Sequence, residues 1–129
     1  MATFQALMTA IYPVPDLARA KAWYQQVFGV APYFDEPFYV GFNVAGYELG
    51  LVPAGGDHNQ PGALGVTAYW GTTDIHATCA HAVAAGAGVL SPVQDVGGDI
   101  QVATITDPFG NAIGLICNPH FAVPPLPPQ

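Results

Sequence analysis

The chain opens on an apolar-rich run, residues 4–14, closed by Pro13 and Pro15, which predicts a strand. From Asp16 the pattern changes to a helical one. Leu17, Ala20, Tyr24, Val27 and Phe28 form an apolar stripe, Asp16 is placed to cap its start, and Gly29 is the expected left-handed terminator. Three extended segments follow near residues 31–34, 38–44 and 47–53, and Ala45-Gly46 between the last two reads as a tight hairpin. Residues 54–62 hold Gly, Asp, His, Asn, Gln and Pro without periodicity and predict a linker.

The same order then recurs. A strand over residues 63–71 leads to Asp74, a second N-cap, and to a helix with Ile75, Cys79, Ala82 and Val83 on its stripe, ending at Gly86. Extended segments near 89–92, 100–106 and 111–118 complete a second βαβββ series. Asp16-Leu17 falls on Asp74-Ile75 at an offset of 58, which also carries Thr9 onto Thr67, and the Gly46 hairpin falls on the Gly110 hairpin at an offset of 64. The extra residues fall in the loop around 95–99. An internal duplication is the economical reading.

The most informative stretch is 103–119. Pro108 sets the φ of a turn's second residue and pushes Asp107 toward an extended conformation, while Gly110 supplies a positive φ without strain. Beyond it Ile113 and Leu115 alternate with Ala112, Gly114 and Ile116, so one face is bulky and the other mostly small. A face pared down in this way is either crowded by another backbone or open over a cavity.

Composition narrows the function. The chain has 129 residues, 51% of them hydrophobic, which predicts one packed globular domain. Only 9% are charged, and Arg19 and Lys21 face nine carboxylates for a net charge of -7, so nucleic acid and anionic membrane surfaces are poor partners. No apolar run reaches the roughly 20 residues of a membrane span, no signal-peptide pattern is present, and the expected location is the cytoplasm. Cys79 and Cys117 are expected as buried free thiols.

The paired βαβββ series, with Val14-Pro-Asp-Leu-Ala-Arg-Ala-Lys-Ala-Trp-Tyr entering the first helix, Val27-Phe-Gly leaving it and Asp107-Pro-Phe-Gly-Asn before the last strand, resembles the vicinal oxygen chelate superfamily. That group includes glyoxalase I, the fosfomycin and bleomycin resistance proteins, methylmalonyl epimerase and the extradiol dioxygenases. Over residues 5–119 the resemblance implies an α+β fold: two βαβββ modules forming a curled mixed sheet around a concave pocket, with the helices outside. It places one domain over 1–129, with a first module at 4–53, a linker at 54–62, a second module at 63–119 and a Pro-rich tail at 120–129.

In enzymes of the family the resemblance implies a divalent metal held by His, Gln or Glu from the first and last strands of each half. Carried over, those positions are Thr9, Gly50, Thr67 and Gly114. Thr is a weak neutral donor and Gly has no side chain, so no metal and no cofactor is expected. Glu48, two residues before Gly50, should share its face, and in an apolar pocket its pKa would rise to suit a general base or acid. By the same parity Thr9, Ile11, Thr67 and Tyr69 should face the pocket, with Tyr12, Val14 and Trp70 beneath the helices. Gln101 is a further polar candidate of undetermined face. His76 and His81, five apart on the second helix, cannot form an i, i+4 metal pair, and all four histidines (with His58 and His120) are expected in solvent.

Two functions fit. One is a bleomycin-resistance-like module that binds a small apolar or aromatic molecule in a metal-free pocket; the other is a metal-independent isomerase, lyase or hydrolase using Glu48 as general base. Single-chain members of such a family usually pair, and a surface with few charges fits a homodimer. The tail Pro124-Pro-Leu-Pro-Pro is a strap, a disordered end or a polyproline ligand.

Overall fold

A computed structural model describes residues 6–121 of the chain. It divides into two compact units between Gln60 and Pro61. Each is a four-stranded mixed sheet with one helix against it.

In the first unit, strand β1 (Thr9–Val14) leads into helix α1 (Leu17–Phe28), followed by β2 (Phe34–Glu36), β3 (Tyr39–Val44) and β4 (Tyr47–Pro53), with sheet order β1-β4-β3-β2. Strand β1 runs parallel to β4, and β4-β3 and β3-β2 are antiparallel. Asp16 caps α1 by accepting the Arg19 N–H at 3.1 Å, and Gly29 at φ 72° ends it. Tyr12, Val14, Val40, Phe42, Leu49 and Leu51 are buried on one side of the sheet, together with Ala20, Trp23 and Tyr24 of the helix. The Tyr24 ring is the hub of this core: Trp23 meets it edge-on at 4.9 Å, Phe28 stacks at 5.8 Å and Tyr12 lies 5.7 Å away. Trp23 was absent from the stripe expected of this helix, whereas Leu17, Val27 and Phe28 are only half-buried.

The Ala45-Gly46 hairpin forms as the sequence predicts. Both residues have positive φ, 52° and 95°, as a two-residue hairpin twisted with its strands requires. The Asn43 side chain accepts the Gly46 N–H at 2.7 Å and helps hold Ala45 in this left-handed conformation.

In the second unit, β5 (Tyr69–Gly71), α2 (Ile75–Ala84), β6 (Gly88–Asp95), β7 (Gln101–Thr106) and β8 (Ala112–Cys117) repeat the arrangement, with sheet order β5-β8-β7-β6. Its core is smaller, made of Ile75, Ala82, Ala87, Ala103, Ile105, Ile113 and Leu115. Asp74 caps α2 through the Ala77 N–H at 3.1 Å.

Several sequence expectations need correcting. The strand expected over residues 63–71 is only Tyr69–Gly71, because Gly65 turns the chain at φ 92° and pairing with β8 begins at Tyr69. The segment expected near 31–34 pairs only at Phe34–Glu36, and the one near 89–92 extends to Gly88–Asp95 with register shifts. Helix α2 ends at Ala84 with Gly86 at φ 106° just beyond it, as expected, but Val83 of its stripe is exposed. Cys79 and Cys117 are free but half-buried, not fully buried. The first residues of the expected 4–14 strand and the Pro-rich tail from 122 onward lie outside the described residues. Among the described residues, no helix is long and apolar enough to cross a membrane.

The 107–111 turn is built around a buried carboxylate. Asp107, 2% exposed, accepts the backbone N–H groups of Phe109 and Asn111 at 2.8 and 2.9 Å and the Asn111 amide at 2.8 Å. Asn111 in turn accepts the Gly62 N–H at 3.1 Å, tying the start of this unit to its last hairpin. Both side chains are spent on backbone N–H groups and on each other, which is a structural use of polar groups.

Candidate functional site

Register places the site residues. Residues directly opposite in a sheet share a face. Asn43, Glu48 and Thr9 form one row across β3, β4 and β1, and Phe34, Gly41, Gly50 and Ile11 form the next. This face lies opposite the buried Leu49, Leu51, Tyr12 and Val14, so the expected parity of Thr9, Ile11 and Glu48 holds.

The small residues of this face explain what covers it. A Cβ on Gly50 would run into the hydroxyl and ring of Tyr39, and one on Gly41 would come within 3.0 Å of both the Glu48 carboxylate and the Tyr33 ring. In the first unit the bare surface is therefore neither crowded by backbone nor empty. Two tyrosine rings lie across it and bring their hydroxyls to Glu48.

The Glu48 carboxylate is held by three hydroxyls. Thr9 donates to Oε1 at 3.0 Å, Tyr33 donates to Oε2, and Tyr39 also hydrogen-bonds the side chain. The Tyr33 hydroxyl does most to hold this carboxyl below the usual range; partial burial opposes it, and Tyr39 and Thr9 add to the lowering. The raised pKa expected from the sequence is thus reversed, because donors aimed at the charged form outweigh desolvation at a half-buried position. The phenols move the other way. Burial and then Glu48 push Tyr39 up, and the hydrogen bond to Glu48 raises Tyr33.

Beside this group Met8, Tyr33, Asn43, Gly46, Tyr47 and Glu48 line a depression of about 170 Å³. Tyr33 is 63% exposed and Ile11 55% exposed, so the face is open to solvent.

The other candidates sit on the second unit. Tyr69 lies opposite Gly114, its ring occupies the space a Cβ there would take, and it remains 49% exposed. Thr67 precedes the strand and is half-buried. Gln101 pairs with Cys117 and lies in line with Ala103 and Ile105, on the face opposite Tyr69 and Gly114. The register thus settles the face that the sequence left undetermined for Gln101, and it is not the face of Tyr69. The offset of 64 that matches Gly50 to Gly114 matches Glu48 to Ala112, so the carboxylate has no counterpart in the second unit.

The model of the Glyoxalase/Bleomycin resistance protein/Dioxygenase superfamily matches residues 6–115. The chain belongs to this superfamily. Solved structures of the same fold include a glyoxalase-related enzyme from Fulvimarina pelagi, 19% identical, covering 94% of each chain at a TM-score of 0.77. Lactoylglutathione lyase from Agrobacterium tumefaciens is 22% identical over 90% of this chain and 96% of its own, at 0.69. The fosfomycin resistance protein FosX from Listeria monocytogenes is 18% identical over 93% and 97%, at 0.70. At these identities the likeness is one of fold. No curated protein matches in sequence.

The metal implied by the superfamily resemblance does not fit the donors at the four carried-over positions. Gly50 and Gly114 offer no donor atom and have tyrosine rings over them, while the Thr9 hydroxyl is spent on Glu48. Among the described residues, no three His, Cys, Asp or Glu side chains are grouped to hold a metal ion, and all four histidines are exposed.

Tyr33 and Tyr39 are functional candidates that sequence reasoning missed. Tyr39 was legible: it is two residues before Gly41, so it shares the face on which the Ala45-Gly46 hairpin sets Gly41 against Gly50. Tyr33 precedes the first paired residue of β2, where no period predicts a direction.

Proposed function

We propose that this superfamily member binds a small apolar or aromatic molecule on the Glu48 face of its first sheet, with no metal taking part. The observation that supports this most is the pair of glycines, Gly41 and Gly50, over which two tyrosines lie beside an open depression. Glycine costs a strand stability, and here it makes room for the two tyrosine side chains to lie over the sheet. Aromatic rings with hydroxyls at their tips, on the same sheet face as Ile11, suit recognition of an apolar body with a polar group. Thr9 orients the carboxylate in this reading.

General-base catalysis by Glu48 is the weaker reading. A carboxylate already stabilised by three hydroxyls is a poor proton acceptor at neutral pH. Titration of the full chain with small aromatic molecules, followed by NMR, tests the proposal: saturable shifts should centre on Tyr33, Tyr47 and Glu48. Gly50→Ala should displace Tyr39 and weaken binding by about tenfold or more, roughly 1.4 kcal/mol. Saturable shifts confined to other residues, or unchanged affinity in folded Gly50→Ala, would count against it.

A further inference from the structure

We infer that the ligand presents a positive charge to Glu48, and that the site takes small organic ammonium ions with an apolar or aromatic body. This rests on the reading that a small molecule binds here, and adds the sign of its charge.

The first observation is the nature of the clasp. Thr9, Tyr33 and Tyr39 are neutral donors, so they order the carboxylate oxygens without cancelling the charge. Among the described residues, no lysine or arginine is a partner of Glu48, and Lys21 is engaged by Asp35 at 2.9 Å. A carboxylate offers about four acceptor sites, so three hydroxyls leave capacity for one donor from a ligand.

The second is the company the charge keeps. Tyr33, Tyr47, Asn43 and Met8 line the depression with Glu48, and the negative faces of tyrosine rings attract a cation near an anionic group. At about 170 Å³ it is smaller than the roughly 300 Å³ at which sites for drug-sized ligands begin, so it fits a head group. Phe34, in line with Gly41 on the same face and 6.0 Å from both Phe38 and Tyr39, supplies an aromatic surface for the body.

The third is exclusion. A neutral ligand covering Glu48 would strip water from a full charge and return at most a hydrogen bond, with no opposite charge to offset the loss. An anionic one would be repelled by Glu48 and by the net charge of -7.

The test is a titration of the full chain at neutral pH with three matched probes: phenethylamine, phenethyl alcohol and hydrocinnamate. The ammonium should bind at least about tenfold more tightly than the alcohol, with the carboxylate weakest, and Glu48→Gln should abolish the preference. Tyr33→Phe, which keeps the ring and removes the donor, should retain the preference but raise the pH at which amine binding is lost. Alcohol binding as tight as amine binding, or a preference that survives in folded Glu48→Gln, would overturn the charge assignment and leave small-molecule binding standing. If none of the three probes shifts the residues around Glu48, both readings fall.

Discussion

At the scale of single residues, the behaviour of Glu48 follows from who donates to it. Its carboxyl lies below the ordinary range in the folded chain, led by Tyr33, and returns to an ordinary value near 4.3 when the chain unfolds. A folded pKa below the unfolded one means that ionised Glu48 adds stability above the unfolded value, and that this is lost as pH falls through the folded value. Denaturant unfolding of the wild type and Glu48→Gln should therefore show a stability difference that is constant from neutral pH to about 5 and shifts against the wild type below about 4. A difference independent of pH over that range would mean that the hydroxyls do not favour the charged form.

At the scale of elements, the two hairpins that the duplication relates have diverged in what their polar residues do. In the first, Asn43 satisfies Gly46 and Glu48 is left for the open face. In the second, Asp107 and Asn111 are buried and spent on the turn. Asp107→Ala should leave three donors short of their acceptor and cost about 3 kcal/mol, read as a drop in the denaturation midpoint. Binding at the Glu48 face should persist in that variant while it remains folded, since the turn belongs to the other unit.

At the scale of the whole molecule, the surface carries few charges, and Leu7, Met8, Leu64, Val66, Val89 and Leu90 are all exposed. Such exposure in a chain of 13.4 kDa fits self-association. Sedimentation at micromolar concentration should return twice the chain mass, and a monomer would count against the homodimer. The sequence alone determined the βαβββ order, the Asp16 and Asp74 caps, the Ala45-Gly46 turn and the parity that sets Thr9, Ile11 and Glu48 on one face. These depend on local periodicity and on backbone conformations that particular residues favour, so they can be read from neighbours in the chain. Tertiary structure decided what meets on that face: rings from Tyr33 and Tyr39 over glycines 41 and 50, and with them the direction of the Glu48 pKa. It also decided that Gln101 lies on the other face of the sheet from Tyr69 and that pairing of β5 begins only at Tyr69. These outcomes depend on register between strands and on the reach of side chains across the sheet, which residues distant in sequence settle together when the sheet forms.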